Sequence, residues 1–483
     1  MTNPAHTSEA ELDQQVTAAN QAYLIAREVA PADRRAWLDA IADALDAHAD
    51  ELIALADEET HLGETRLTGE LKRTSFQLRL LAEEAASGQP LQITIDHADP
   101  DWGMGPRPDL RKMNVPVGVV GVFGASNFPF AFSVIGGDSA AALAAGCSVV
   151  HKAHEAHQRL AVRTAEVVVQ ALAAAGAPDG LFSLVTGFEA GQHLVEHPLV
   201  QAVAFTGSTR GGRALFDRIA RRPEPIPFYG ELGSTNPVFV AEQAWRARGA
   251  EIVAGFIGSV SMGVGQFCTK PGLLLVPAGA ELTNLLDSAE VNRSLHQMLT
   301  PKLADDFGRA VQAMAVRDGV STLVGAGDAA AITVLRTTAD AVLAEPDILQ
   351  TEMFGPATMI IEYDRPEQLP ELAEHLDGQL TATVHADADD QVDGLVTVLT
   401  RKAGRVLWNG WPTGVTVSFA QQHGGPYPAT TAAGTTSVGT AAIGRFLRPV
   451  AYQDFPAERL PLFLRDQLPG DVRLPRRVDG VWS

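Results

Sequence analysis

Val117-Gly-Val-Val-Gly-Val-Phe123, then Gly124-Ala-Ser-Asn-Phe-Pro129, the run DSAAALAAG (138–146) and Cys147-Ser-Val-Val-His-Lys152 decide the fold. The first seven residues are apolar and β-prone without polar alternation. That pattern predicts a parallel strand buried on both faces. A helix of small residues follows, and then a second strand ending on Lys152. Working outward, a helix over about 159–175 stops at Gly176 and Pro178. Strand LFSLVTG, a short helix and strand QAVAFTG (201–207) complete the run. Strand and helix alternating this regularly specify a parallel sheet with helices on both faces.

The theme repeats over 237–276, as strand PVFVA, a helix over about 247–262 and strand LLLV, and continues over 302–363 and 366–410. Upstream, residues 9–60 read as amphipathic helices, with Leu38, Ile41, Leu45 and Leu52 at helical spacing, and residues 65–86 as another. Residues 91–115 hold the turn-rich HADPDWGMGPRPD between short strand-like pieces. From 411 the chain is rich in Gly, Thr and Pro (HGGPYPATTAAGTTSVGT, 423–440) and reads as a long ordered loop. With 483 residues, and about 100–200 per domain, two or three domains are expected. The boundaries expected are 1–230, 231–440 and 441–483, with 91–115 as a bridging piece.

A formal net charge of -21 repels phosphate backbones and anionic lipid, so nucleic acid and membrane surfaces are not the expected partners. Two cysteines, Cys147 and Cys268, exclude a disulfide framework and a cysteine-rich metal site. No metal is expected. The polar start Met1-Thr-Asn-Pro-Ala-His is no signal peptide, and the apolar stretches fall short of the ~20 residues of a membrane span. A reducing cytoplasm is the expected location.

Several residues carry possible chemistry. Cys268 lies in SMGVGQFCTKPG, where Gly263 and Gly265 let the backbone bring a thiol close to a ligand. Cys147 opens an apolar strand and reads as structural. Glu231 in YGELGSTNP sits at a strand–turn junction, where a general base needs a carboxylate near water. AFTGSTRGGRAL (204–215) is a strand, a glycine-rich turn and a helix, able to hold a phosphate on free amides, though G-x-G-x-x-G is absent. Lys152 closes a buried strand, at the end where parallel sheets bind ligands. Asn127 follows the first strand and can donate to a developing oxyanion. Glu352 in TEMFGP reads as a loop carboxylate. Taken singly, each has an ordinary structural explanation: a buried thiol, a turn glutamate, an N-cap at Ser208, a strand-end lysine.

Their joint order is specific. Asn127-Phe128-Pro129, Lys152, Phe205-Thr206-Gly207-Ser208 with Gly212, Glu231-Leu232-Gly233, Gly265-Gln266-Phe267-Cys268 and Glu352-Met353-Phe354-Gly355-Pro356 resemble, in sequence order, six motifs of the aldehyde dehydrogenase superfamily. ADEETHLGETRLTGELKRT, FGASNFPFAFSVIGGDSAAALAAGC and HGGPYPATT resemble its branch of α-ketoglutaric semialdehyde dehydrogenases and a bacterial fatty-aldehyde dehydrogenase. The sequence departs from that branch at His151 and Glu155, and from the wider superfamily at Ser234-Thr235.

The resemblance implies an α/β fold: a Rossmann-type parallel-sheet cofactor domain, a second α/β catalytic domain and a small β oligomerisation extension. It implies oxidation of an aldehyde to an acid with NAD or NADP. Cys268 would form a thiohemiacetal whose oxyanion is held by Asn127 and the Cys268 amide. Hydride would pass to the nicotinamide, and Glu231 would activate water to hydrolyse the thioester. Lys152 and Glu352 would hold the cofactor riboses, with Phe354 near the nicotinamide. Glu155 can accept from the 2′-OH of NAD and repels the 2′-phosphate of NADP, which leans the reading to NAD although much of the branch favours NADP. The substrate is expected to be a semialdehyde such as α-ketoglutaric semialdehyde, the alternatives being a medium- or long-chain fatty aldehyde or a silent binding protein on the same fold. A cysteine hydrolase would need a histidine beside Cys268, and sequence alone does not place His423 there. The family commonly forms homodimers or homotetramers.

Overall fold

The computed structural model describes residues 5–279, 281–289, 295–325, 331–468 and 473–482. Residues 1–4, the start of the polar N-terminus, and 326–330, within the α/β run expected over 302–363, lie outside the described residues.

The chain begins with helices Glu9–Ala26, Pro31–Ala47, Ala49–Thr60 and Glu64–Ser87. Ser8 starts the first through a reciprocal capping box with Glu11. Pro31 opens the second, where a missing N–H costs nothing. That helix buries Leu38, Ile41 and Leu45 and packs along Glu64–Ser87. The buried face of Glu64–Ser87 carries Leu67, Leu71, Leu78 and Leu81, and also Glu70, a carboxylate no core would keep without partners.

The first sheet is parallel throughout, in the order Phe182–Val185, Ser148–Lys152, Val119–Phe123, Val200–Thr206, Phe228–Glu231. Val119–Phe123 is central and wholly buried, as its unbroken apolar run predicts. Each of its valines contributes about 1.5–3 kcal/mol by leaving water. The chain lays its next two strands on one side of this strand, then crosses to place two on the other. The crevice at the carboxyl ends of Val119–Phe123 and Val200–Thr206 is therefore the topological switch point, where open parallel sheets receive ligands. The boundary expected at 230 falls on the last strand of this sheet, which ends on Glu231.

The second sheet runs Ser321–Val324, Thr333–Thr338, Ala357–Tyr363, Leu273–Pro277, Pro237–Val240, Gln379–His385, Ala403–Trp408. It is parallel except for the antiparallel edge strand Ser321–Val324. A third sheet joins Ile93–Asp96 and Leu110–Pro116 to Leu447–Gln453, Arg476–Val478 and Val481–Trp482. The turn-rich piece expected over 91–115 thus shares its sheet with strands from beyond 441. The Gly/Thr-rich tail crosses back from the second sheet to the first, and Thr430 bridges to Glu231.

Candidate active site

Cys268 follows helix Glu242–Ser261 through a turn in which Gly263, Val264 and Gly265 all have positive φ, at 55°, 59° and 67°. A β-branched residue there is strained, and such strain gathers at functional sites. Gly265 is required twice over: a Cβ there would stand 2.2 Å from the Gly355 carbonyl oxygen. Two motifs 90 residues apart are pressed together at this point. Lys270 fastens them, its buried ammonium donating to the carbonyls of Met353 (2.8 Å) and Ala357 (2.7 Å). Asn236 holds the loop from the other side, donating to the carbonyls of Cys268 (2.8 Å) and Lys270 (2.9 Å).

The thiol meets two groups. Cys268 Sγ lies 3.6 Å from His423 Nε2, and that nitrogen lies 2.9 Å from Glu231 Oε1. Ser437 Oγ donates to Glu231 Oε2 at 2.8 Å. His423 and Glu231 are both buried. Burial, with the adjoining Glu231 charge, pushes the Cys268 thiol well above the ordinary cysteine range. For Glu231 burial acts upward, but His423 and the hydrogen bonds from His423 and Ser437 outweigh it and hold the carboxyl below the usual range. A protonated thiol and an ionised carboxylate, with an imidazole nitrogen between them, form a path along which a proton can leave sulfur. His423 is the residue that sequence reasoning could not place. It stands 155 positions from Cys268, and only the fold of the tail brings it in.

Asn127 Nδ2 donates to the Gln266 carbonyl at 2.9 Å, which fixes the amide beside the Cys268 loop. A primary amide has a second N–H, which this bond leaves free. Its backbone carbonyl accepts from Arg66 Nη2. A cavity of about 260 Å³ opens onto Cys268, lined by Arg66, Glu70, Arg73, Phe128, Phe132, Phe267 and neighbours. Arg66, Glu70 and Arg73 come from one helix at spacings of four and three, which put them on one face. Arg66 stands over the Phe128 and Phe267 rings (5.1 and 4.8 Å) and Arg73 over Phe132 (5.2 Å). Glu70 accepts from the amides of Phe130 (2.8 Å) and Ala131 (3.0 Å). Among the described residues, Nη1 of each arginine has no hydrogen-bond partner. Burial lowers the pKa of both arginines.

At the switch point, Lys152 Nζ pairs with Glu155 Oε1 at 2.8 Å, and Gln158 donates to Glu155 Oε2. Ser208 Oγ caps helix Thr209–Ala220 through Gly211 N, which leaves the leading amides of Thr209 and Arg210 without intrahelical partners. Gly212 packs so tightly that a Cβ would sit 2.2 Å from Leu232 Cδ2, and one at Gly207 would meet the Phe205 ring at 2.8 Å. The glycines thus seat the helix against the sheet. Glu352 reaches the same region, its Oε2 2.5 Å from where a Gly233 Cβ would be. Burial raises its carboxyl, opposed by the Lys270 ammonium and the Ser234 amide. Phe354 beside it is half-buried. Free amides, a lysine–glutamate pair and a crevice at the switch point fit a dinucleotide.

Residues 1–426 match the Aldehyde dehydrogenase family. The chain is 45% identical to alpha-ketoglutaric semialdehyde dehydrogenase 2 of Azospirillum brasilense, over 98% of this chain and 92% of that one. It is 42% identical to the alpha-ketoglutaric semialdehyde dehydrogenase of Acinetobacter baylyi, over 98% and 91%. Among solved structures, the NAD-dependent aldehyde dehydrogenase from Sinorhizobium meliloti superposes with a TM-score of 0.76 at 25% identity, over 96% of this chain and 92% of that one. With one parallel sheet and a second that is parallel but for its edge strand, this chain belongs to the aldehyde dehydrogenase family.

Proposed function

We propose that the protein oxidises a semialdehyde bearing a distal carboxylate, such as α-ketoglutaric semialdehyde, to the corresponding acid. The observation that carries this is the pair Arg66 and Arg73 in the cavity beside Cys268, each with an unpartnered Nη1. Guanidinium is the planar, permanently charged partner a carboxylate fits best. The two relatives named for that substrate agree with it.

In the reaction, His423 Nε2 passes its proton to Glu231 and takes the Cys268 proton as sulfur attacks the aldehyde carbon, and Glu231 then releases the proton to solvent. The free Asn127 N–H and the Cys268 amide hold the resulting oxyanion. Lys152, Glu155, Gly207, Ser208, Gly212, Glu352 and Phe354 would hold a nicotinamide dinucleotide, which would accept the hydride that leaves the substrate carbon as the Cys268 thioester forms. Glu231 then draws a proton from water, which hydrolyses the Cys268 thioester. Glu155 favours NAD over NADP, since its charge opposes a 2′-phosphate.

The third sheet is assigned to self-association as a homodimer or homotetramer: Trp102, Met104, Val481 and Trp482 are exposed on it and its hairpin. Residues 91–115 and 441–483 would work there as one unit, beside a cofactor domain over 1–230 and a catalytic domain over 231–440. A cytoplasmic site of action is in keeping with two free cysteines and with no described helix long and apolar enough to cross a membrane.

The test is a panel of α-ketoglutaric semialdehyde, succinic semialdehyde and decanal with NAD or NADP, run on wild type, Arg66→Gln and Arg73→Gln. Losing a charged hydrogen bond of about 1.5–3 kcal/mol should raise KM for the acidic aldehydes roughly 10- to 100-fold. Decanal should be little affected. The Phe128, Phe132 and Phe267 rings would accept an alkyl chain, so decanal as the preferred substrate, with both variants unimpaired, would overturn the semialdehyde reading.

A further inference from the structure

One ligand atom each from Glu231, Cys268 and His423 lies within 4.8 Å of the other two. A thiol sulfur, an imidazole nitrogen and a carboxylate oxygen are all Lewis bases. A neutral imidazole carries one proton for its two ring nitrogens, and a proton on Nε2 can face Glu231 or Cys268 but not both well. A cation with tetrahedral preference would satisfy all three.

The spacing suits such a cation. Zinc bonds of about 2.3 Å to sulfur and 2.05 Å to nitrogen at a tetrahedral angle set the two atoms about 3.6 Å apart. Sγ and Nε2 are 3.6 Å apart here. Nε2 and Oε1 are 2.9 Å apart. The corresponding tetrahedral edge is about 3.3 Å, so the carboxylate has to yield about 0.4 Å. Ser437 Oγ, bonded to Oε2 at 2.8 Å, is the outer support that metal-ligating carboxylates use. The cavity at Cys268 leaves a fourth position for water. The donor set is too soft for magnesium or calcium, which take oxygen ligands.

We propose that Cys268, His423 and Glu231 form a three-ligand site for a zinc-class divalent cation, and that its occupancy reversibly arrests the enzyme. On binding, the Cys268 S–H bond breaks, its proton passes to solvent and a sulfur–metal bond forms, with no change of oxidation state. His423 binds through Nε2 with its proton on Nδ1. The sulfur lone pair that attacks an aldehyde is then held by the metal, and a chelator releases it. The site does not depend on which aldehyde or which dinucleotide the enzyme uses.

The experiment uses the whole protein, stripped with EDTA and dialysed, and reads binding without substrate. Cobalt(II) serves as the coloured probe and zinc(II) as its competitor. Wild type and Cys147→Ala should show a near-ultraviolet thiolate-to-cobalt charge-transfer band, displaced by one equivalent of zinc, and Cys268→Ser should lack it. His423→Ala should weaken zinc binding by roughly tenfold or more, since even outer-shell partners are worth that much. Circular dichroism checks each fold, and Glu231→Gln is the second variant if His423→Ala does not fold. Zinc should also protect Cys268 from iodoacetamide. No band in wild type, a band surviving Cys268→Ser, or zinc affinity unchanged in the folded ligand variants overturns the site.

Discussion

Cys147 and Cys268 stand in two regions that treat a thiol alike in one respect and oppositely in another. Burial suppresses acidity in both. The Cys147 thiol is pushed up to about 11, with only backbone amides and Arg34 acting against it. Its sulfur donates to the Phe446 carbonyl at 3.4 Å, and the side chain is wholly buried. Cys268 is also held in its thiol form, yet its sulfur faces His423, behind it Glu231, and in front of it an open cavity. Resting acidity therefore does not separate the reactive thiol from the inert one. What separates them is a base positioned to take the proton at the moment of attack, and room for the atom to be attacked.

The sharpest way to break this comparison is to exchange the roles. Cys268→Ala should lower aldehyde oxidation by about 10⁴-fold or more, as loss of a covalent nucleophile does elsewhere. Cys147→Ala should leave kcat and KM nearly unchanged and cost about 1 kcal/mol of stability in a denaturant titration. Comparable activity losses in the two variants would remove the distinction drawn here.

Glu231→Gln comes next. Removing a general base slows its step by roughly 10²–10⁴-fold. Thioester hydrolysis should become limiting, so stopped flow should show a burst of reduced cofactor near one per site. The same variant tests why the Cys268 thiol stays protonated. For a thiol, a raised pKa means that the thiolate fraction, and so alkylation, grows as pH rises. Burial is the main cause, and Glu231 adds to it by charge and hydrogen bond. Glu231→Gln should therefore shift the pH profile of iodoacetamide labelling to lower pH. Labelling near neutrality should then be faster than in wild type, since more of the thiol is ionised there. An unmoved profile would mean that burial alone sets the thiol.

Gly265→Ala tests how the reactive region is held. The new Cβ would need to share space with the Gly355 carbonyl, and φ is positive. Overpacking of this kind costs about 1–3 kcal/mol. The loop should relieve it by moving Cys268, so activity should fall roughly 10²-fold while circular dichroism is retained. Full activity would show that the two pressed motifs need no such contact.

How much of this was readable beforehand follows from the range of each interaction. The central strand was legible because burial on both faces leaves an unbroken apolar run, and Val119–Phe123 has it. The family motifs were legible because each is local. Arg66 and Arg73 were invisible as pocket residues: on sequence alone they are two more cations on an amphipathic helix. Only the packing of Glu64–Ser87 beside Phe128, Phe132 and Phe267 reveals their face. His423 and Ser437 escaped for the same reason. They sit in a Gly/Thr-rich loop without periodicity, and their partner Glu231 is 192 and 206 positions away. The third sheet escaped in part because Arg476–Val478 and Val481–Trp482 are too short to carry an alternating pattern.

The smallest effect is expected at the far end of the strand that begins just after Cys147. That strand leads from the inert thiol to Lys152, whose ammonium holds one oxygen of Glu155 while Gln158 donates to the other. Glu155 is about half exposed, so its charge acts through water and is worth only about 1 kcal/mol. Glu155→Ser should therefore raise the ratio of kcat/KM with NADP to that with NAD by about fivefold. Iodoacetamide should still label Cys268 at the wild-type rate, because Glu155 does not act on that thiol. An unchanged cofactor ratio would mean that Lys152 keeps Glu155 clear of the 2′ position. A changed labelling rate would mean that the two regions are coupled through the sheet, and that the contrast between the two thiols is not a local one.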